Sequence, residues 1–417
     1  GLATPPPARP GSRGGSAMSA TRPAGAPQTA RPPSPLSHRH PLWQLGFRPF
    51  YLLASGFAAL SVAAWALQFA GLGPRYLDGP LWHAHEMVFG FAQAVIVGFL
   101  YTAGRNWTGR PTPAGPKLVG LAARWALARI LPITPYAWAA AVANVAFPVA
   151  AAIGLAGPLL RARNRRNYFF VSVLLAFAGA AAAVHAERLG LSSRPAWAGI
   201  RLALDVVLFV LAVMGGRVIP MFTNNGVPGA GAARSAPVER ASLGTLLALI
   251  VADLAGLDGA PLSALLAAAA LAHAARLALW RPWRTGTVPL VWALHVAYAW
   301  IPVHLALRAA GALGAVPGSA ATHALAVGAI GGLVIAMITR TARGHTGRAL
   351  RADRFDVACY ALVLGAAALR VLVPLLAPAL LVASVLASAA LWSAGFALYA
   401  LRYAPMLARA RPDGRPG

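Results

Sequence analysis

The sequence predicts an all-α, polytopic membrane bundle of about twelve transmembrane helices, with both termini in the cytoplasm. Three observations lead there. Of the 417 residues, 58% are hydrophobic and 11% charged, against roughly a quarter charged in an ordinary soluble domain. Apolar runs of the length that crosses a bilayer as a helix, about 20 residues, recur along the chain. The arginines behind the net charge of +26 sit in short breaks between those runs, as they do in cytoplasmic loops of membrane proteins. That placement argues against nucleic acid, because no basic stripe with interleaved aromatics stands apart as a soluble module. The lipid bilayer is the expected partner, with anionic lipid of the inner leaflet as counter-charge.

Twelve runs read as spans: 50–70, 81–103, 117–132, 136–160, 167–187, 197–219, 238–256, 260–280, 286–309, 319–340, 354–374 and 376–402. The third carries Arg124 and Arg129 inside it. Helix breakers such as Gly71-Leu-Gly73-Pro74, Gly226-Val-Pro228 and Val316-Pro-Gly318 fall between runs. One alternating set of loops holds roughly twenty Lys and Arg and the other about five, the asymmetry that orients a chain with its positive loops inside. Residues 1–40 are rich in Pro, Ala, Arg and Ser and lack the apolar core of a signal peptide. They read as a disordered tail, with the natural start open between Gly1 and Met18. The twelve spans then occupy 41–404, and 405–417 form a short cytoplasmic tail. Cys359 is the single cysteine, so neither an intrachain disulfide nor a thiolate-rich metal site is available.

Polar groups inside the runs carry the chemistry, because an ionisable side chain in hydrocarbon is a functional candidate by default. "LWHAHEMVF" at 81–89 places His83, His85 and Glu86 at the outer mouth of the second run. The alternating topology puts His304, His323 and His185 at a similar depth and His295 near mid-membrane, with His273 deeper and His345 on the inner side. Pro80 suits a first helical position, so both early histidines occupy opening turns. There the free N–H dipoles favour a neutral ring, which is the form a metal needs. On a regular helix His83, Glu86 and Met87 share a face, whereas His85 points about 200° away from His83. Two adjacent sites, or one ligand and one supporting group, are expected rather than one cluster. Glu86 and Asp205 are the carboxylates placed within runs, as proton carriers or partners of a ligand. Bland readings stand beside these. A lone outer histidine can be interfacial, the tryptophans at 43, 65, 82 and 107 suit an interfacial belt, and Asp205 can pair with Arg201. Gly328, Gly331 and Gly332 suit close helix packing.

Four segments resemble a known family: "LGFRPFYLLA" at 45–54, "LWHAHEMVFGFAQAVIVGFLYTAGRNWTGRP" at 81–111, "GGRVIPMFTNN" at 215–225 and "HALAVGAIGGLVIAMITRTARGHTGR" at 323–348. Together they look like the signature blocks of the NnrS family. The resemblance implies a twelve-span protein of the bacterial inner membrane that binds haem b and copper. It also implies a link to nitric oxide metabolism, nitrosative stress and denitrification. Matching positions are His83, His85, Glu86, Arg217, His323, Arg340, His345 and Arg348. Depth and resemblance together nominate His83, His85, His295, His304 and His323 as cofactor ligands, with His83, His85 and His323 as metal ligands. Arg217, Arg340 and Arg348 are candidates to contact an anionic group such as a haem propionate. The sequence names no reaction. The alternative is a proton-coupled secondary transporter or metal exporter using Glu86, Asp205 and the histidines.

Overall fold

A computed structural model describes residues 40–72 and 79–414; the expected N-terminal tail and Asp78 lie outside these residues. Twelve helices follow one another, and no strand occurs among the described residues. They are α1 (Phe47–Phe69), α2 (Gly79–Thr108), α3 (Pro116–Ile130), α4 (Ala137–Arg161), α5 (Phe169–Arg188) and α6 (Ala196–Gly226). The second half holds α7 (Ala236–Leu254), α8 (Gly259–Leu279), α9 (Pro289–Ala312), α10 (Gly318–His345), α11 (Arg354–Leu376) and α12 (Leu381–Leu407). Each predicted run is thus helical. Among the described residues, ten helices are long and apolar enough to cross a membrane. The other two are α3, which has 15 residues, and α7, which carries Glu239, Arg240 and Asp253.

Helices adjacent in sequence pack as hairpins, most extensively α11 with α12, α8 with α9 and α4 with α5, while α1 packs along α12 and brings the first and last helices together. Burial then separates centre from rim. In α2, 83% of the apolar window is buried, and in α10 72%, against 33% in α11 and 28% in the α8 span. The two central helices are the two that carry the histidine blocks. At 1.5 Å per residue, the 30 residues of α2 extend about 45 Å. That exceeds the hydrocarbon core of roughly 30 Å, so an opening turn can sit at interfacial depth.

Both central helices also contain a wide π-helical stretch, Glu86–Ala92 in α2 and Ala324–Gly331 in α10. Such turns mark functional sites more often than chance. Each begins directly after a candidate ligand, His85 or His323. Small residues permit the close packing around them. A methyl group on Gly328 would run into the Trp300 ring, and one on Gly331 into Trp392. One on Gly332 would meet Ala297, so all three glycines serve close packing, as expected. Trp82 is buried at 8% exposure, and half-buried Trp107 stacks on Phe170.

The closest approach of a glycine to a neighbouring backbone is at Gly199. A Cβ on Gly199 of α6 would lie 2.6 Å from the Ala180 carbonyl oxygen and 2.9 Å from the Val184 nitrogen of α5. Neither can rotate away, so Gly199→Ala will cost about 1–3 kcal/mol, the range for overpacking. Gly179→Ala, where nothing lies within 4 Å, will leave stability unchanged. Thermal unfolding of the two variants in detergent checks the contrast.

Candidate functional site

Glu86 has no exposed surface, and its carboxylate is gripped from two sides. Arg129 Nη1, from the last turn of α3, donates to Oε2 at 2.6 Å. His85 Nδ1 meets Oε1 at 2.7 Å. Arg129 Nη2 donates in turn to Asn144 Oδ1 of α4, and the Asn144 amide is oriented by donating to the carbonyls of Ala140 and Ala128. Trp125 Nε1 of α3 donates to the Gly90 carbonyl at 2.9 Å, which satisfies a π-turn acceptor and docks α3 against α2. Gly90 has no side chain because Phe57 and the Arg129 stem occupy that space.

The carboxylate can only accept, so His85 Nδ1 carries the proton and Nε2 is left as a lone pair. That nitrogen is buried without a partner. The His185 ring of α5 stands edge-on to it, with centroids 5.2 Å apart, and its Nε2 is buried and unpartnered as well. A cavity of about 60 Å³ opens beside the two rings, lined among others by Trp82, Thr134, Val184 and Arg188. A water needs roughly 10–15 Å³ of such volume, so a metal ion with a diatomic ligand fits here and a porphyrin does not.

A second group lies around the mouth of α10. His83 stacks on Trp65 of α1, with centroids 5.2 Å apart and planes within 15°, and its Nδ1 is buried without a partner. His323 Nδ1 lies 2.7 Å from the Ser319 carbonyl, and donating there frees Nε2. His83 and His323 interact electrostatically with each other and with Arg370 of α11. Both rings are half-buried, so this group stands at an edge of the bundle rather than in a closed cavity. His304 follows the same pattern nearby: its Nδ1 donates to the Ala321 carbonyl at 2.8 Å, and Nε2 is buried and unpartnered.

His295 belongs elsewhere. It is six residues into α9 and nine before His304, about 14 Å along the axis. It meets Thr223 Oγ1 of α6 at 2.8 Å and the Trp280 ring. Thr223 already donates to the Ile219 carbonyl, so His295 Nε2 is the donor and the buried Nδ1 keeps its lone pair. Being near mid-membrane did not bring it to the outer group. His273 differs in kind. Its Nε2 faces the Ser242 carbonyl, while its Nδ1 meets the Tyr298 hydroxyl at 2.7 Å. Arg276 donates to that hydroxyl and pairs with Glu239. Both ring nitrogens are used, and the role is structural.

Several expectations are therefore revised. Glu86 sides with His85 and not with His83, at the point where helix α2 widens into its π stretch. Two adjacent sites rather than one cluster were expected, and His85 has its own neighbours in Glu86 and His185. Among the described residues no group of three or more His, Cys, Asp or Glu side chains is placed to hold a metal ion. His85 instead meets His185, which had looked like an interfacial residue. Asp205 pairs with Arg308 of α9 at 3.4 Å, while Arg201 reaches Asp253. Arg217 donates to Asn167, Arg340 lies over the Phe222 ring at 3.8 Å and Arg348 donates to the Thr346 carbonyl. Arg129, Asn144 and Arg370 were missed. The signal for Arg129 was present, since it was the charge that made the third run a poor span.

Fold and site together define a polytopic helical membrane protein in which helices α2, α5 and α9 hold imidazoles whose ring nitrogens are buried without a partner among the described residues. The chain belongs to the NnrS family: the model described as NnrS protein matches residues 41–411, and that membership connects it to nitric oxide. No curated protein matches the sequence.

Removing one side of a buried ion pair leaves an uncompensated charge and typically costs 3–5 kcal/mol, whereas removing both can be close to neutral. Arg129→Met will therefore destabilise the protein by about 3–5 kcal/mol, and Glu86→Gln combined with it will restore most of the loss. Unfolding in detergent tests the pair. A double variant no more stable than Arg129→Met contradicts the pairing as drawn.

Proposed function

We propose that this chain is a haem- and copper-binding protein of the bacterial inner membrane that acts on nitric oxide through redox chemistry. One observation carries the reading. Among the described residues, five imidazole nitrogens, His83 Nδ1, His85 Nε2, His185 Nε2, His295 Nδ1 and His304 Nε2, are buried with no partner. A polar atom left unpaired in a protein interior is costly, and a bound metal is the partner an imidazole lone pair accepts. The second nitrogens fit the same role. A ligating histidine usually gives its other N–H to a carboxylate or a backbone carbonyl, as His85 does to Glu86 and His304 to Ala321.

Size supports dividing the two groups. His85 and His185 face a cavity suited to a single ion, and two neutral imidazoles suit copper. His83 and His323 stand at an open edge with His304 close by, where a large planar ligand can enter between helices, and histidine is a common axial ligand of haem iron. Haem and copper, when bound, would supply the electron transfer and the open coordination position that nitric oxide chemistry needs. The chain's own residues do the rest. Glu86 and Arg129 hold His85 in one tautomer, Trp82 and Val184 wall the cavity, and the bilayer admits a small apolar gas without a polar channel. Transport is less well supported, because Glu86, Asp205, Asp253 and Glu239 each meet an arginine, which leaves no run of free carboxylates for a proton path.

Purified protein from cells supplied with haem and copper will show a Soret band that shifts with nitric oxide, and copper by elemental analysis. His85→Ala or His185→Ala will lose copper and keep the Soret band. His83→Ala or His323→Ala will lose or shift the band, and His345→Ala will change neither. A colourless, metal-free preparation overturns the proposal.

A further inference from the structure

Trp82 carries a hydrogen-bond donor that the site as described does not use. An indole N–H can only donate. Trp82 is 8% exposed, and its Nε1 is buried with no acceptor among the described residues. An interfacial tryptophan presents its polar edge to the headgroups, whereas this N–H is turned away from the surface. Two other buried indoles show the usual solution: Trp125 Nε1 donates to the Gly90 carbonyl and Trp392 Nε1 to the Ala58 carbonyl. Trp280 Nε1 also lacks a partner, so an unpaired indole does not by itself mark a site.

Position separates the two. Trp82 lies three residues before His85 within the regular turns Gly79–His85, so both side chains share a face of α2. That face lines the cavity of about 60 Å³, with His185 of α5 among the other lining residues and Trp280 not among them. The cavity wall therefore includes three residues with a buried, unpartnered polar atom: the donor Trp82 Nε1 and the ring nitrogens His85 Nε2 and His185 Nε2. They do not satisfy one another. The Glu86 oxygens serve His85 and Arg129, and Thr134 Oγ1 donates to the Leu131 carbonyl and accepts from the Tyr136 nitrogen. A metal ion on two imidazole lone pairs offers an N–H no acceptor. A small ligand beside it does.

We propose that Trp82 is a positioning residue: its indole N–H donates to the small ligand held in the cavity beside His85 and His185, and selects ligands that carry an acceptor atom. On the proposed function that ligand is nitric oxide beside copper, and the inference rests on that reading of the cavity. The reading itself needs only the two imidazoles. A fixed donor in a water-poor site adds orientation and favours negative charge on the atom it faces.

Infrared spectroscopy of the full-length, copper(I)-loaded protein in detergent tests this, with carbon monoxide as a diatomic probe. Trp82→Phe keeps an aromatic wall and removes the N–H. Equal copper content in the two proteins shows that the variant is folded with its metal site intact. The carbon–oxygen stretch then lies at higher frequency in Trp82→Phe, because the hydrogen bond to the oxygen end is lost. The dissociation constant for carbon monoxide rises roughly 2- to 10-fold, the range for one neutral hydrogen bond. Exchange into heavy water shifts the wild-type band more than the variant band, a difference that packing alone does not produce. No heavy-water shift in wild type, or equal shifts in the two proteins, overturns the assignment while the copper site stands. Wild type that takes up no copper overturns the reading of the cavity and this inference with it.

Discussion

The contact between Glu86 and Arg129 is the constraint around which this structure is arranged. A carboxylate with no exposed surface in a bilayer-spanning bundle is tolerable only with an opposite charge and full hydrogen bonding. The chain supplies both from α3, a helix too short and too charged to look like a good span. Docking α3 requires the Trp125 hydrogen bond to Gly90, and Gly90 must lack a side chain to admit Arg129 and Phe57. The same carboxylate fixes the proton on His85 Nδ1. A stability requirement and a chemical one thus meet in a single side chain, and breaking the ion pair disturbs both.

The histidines divide by how their two nitrogens are used. His273 spends both, and it locks α7, α8 and α9 together. His85, His295, His304 and His323 spend one, on a carboxylate, a hydroxyl or a backbone carbonyl, and keep the other. Holding one nitrogen fixes the tautomer and the ring plane, so the remaining lone pair points in a set direction before any ligand arrives. That preorganisation separates a ligand from a polar residue that only fills space, and sequence depth alone does not reveal it. The two outer groups differ in surroundings: one faces a small cavity lined by Trp82, Val184 and Arg188, the other an edge between helices.

Much of the architecture was legible from residue type. Twelve apolar runs became twelve helices because run length and bilayer thickness are linked, and the glycines at 328, 331 and 332 pack as small residues do. "LWHAHEMVF" was recognisable as a site because titratable groups in hydrocarbon need a reason. The direction of its side chains was not legible. A regular 3.6-residue helix puts His83 and Glu86 on one face, whereas Glu86 in fact pairs with His85 at the start of the π stretch. Partners from distant helices were hidden for a similar reason. His185 and Arg308 meet their groups only through tertiary packing, and nothing in the spacing of α5 or α9 announces it. Arg129 could have been found, since an arginine within an apolar run implies a buried counter-charge.

The central claim is that paired imidazoles, positioned by Glu86, hold the metal ion. X-ray absorption at the copper edge of the purified protein tests it most directly. The account predicts a first shell of nitrogen with the multiple scattering of imidazole and no sulfur, because the single cysteine, Cys359, is buried on α11. A sulfur shell, or a shell of oxygen alone, would contradict it.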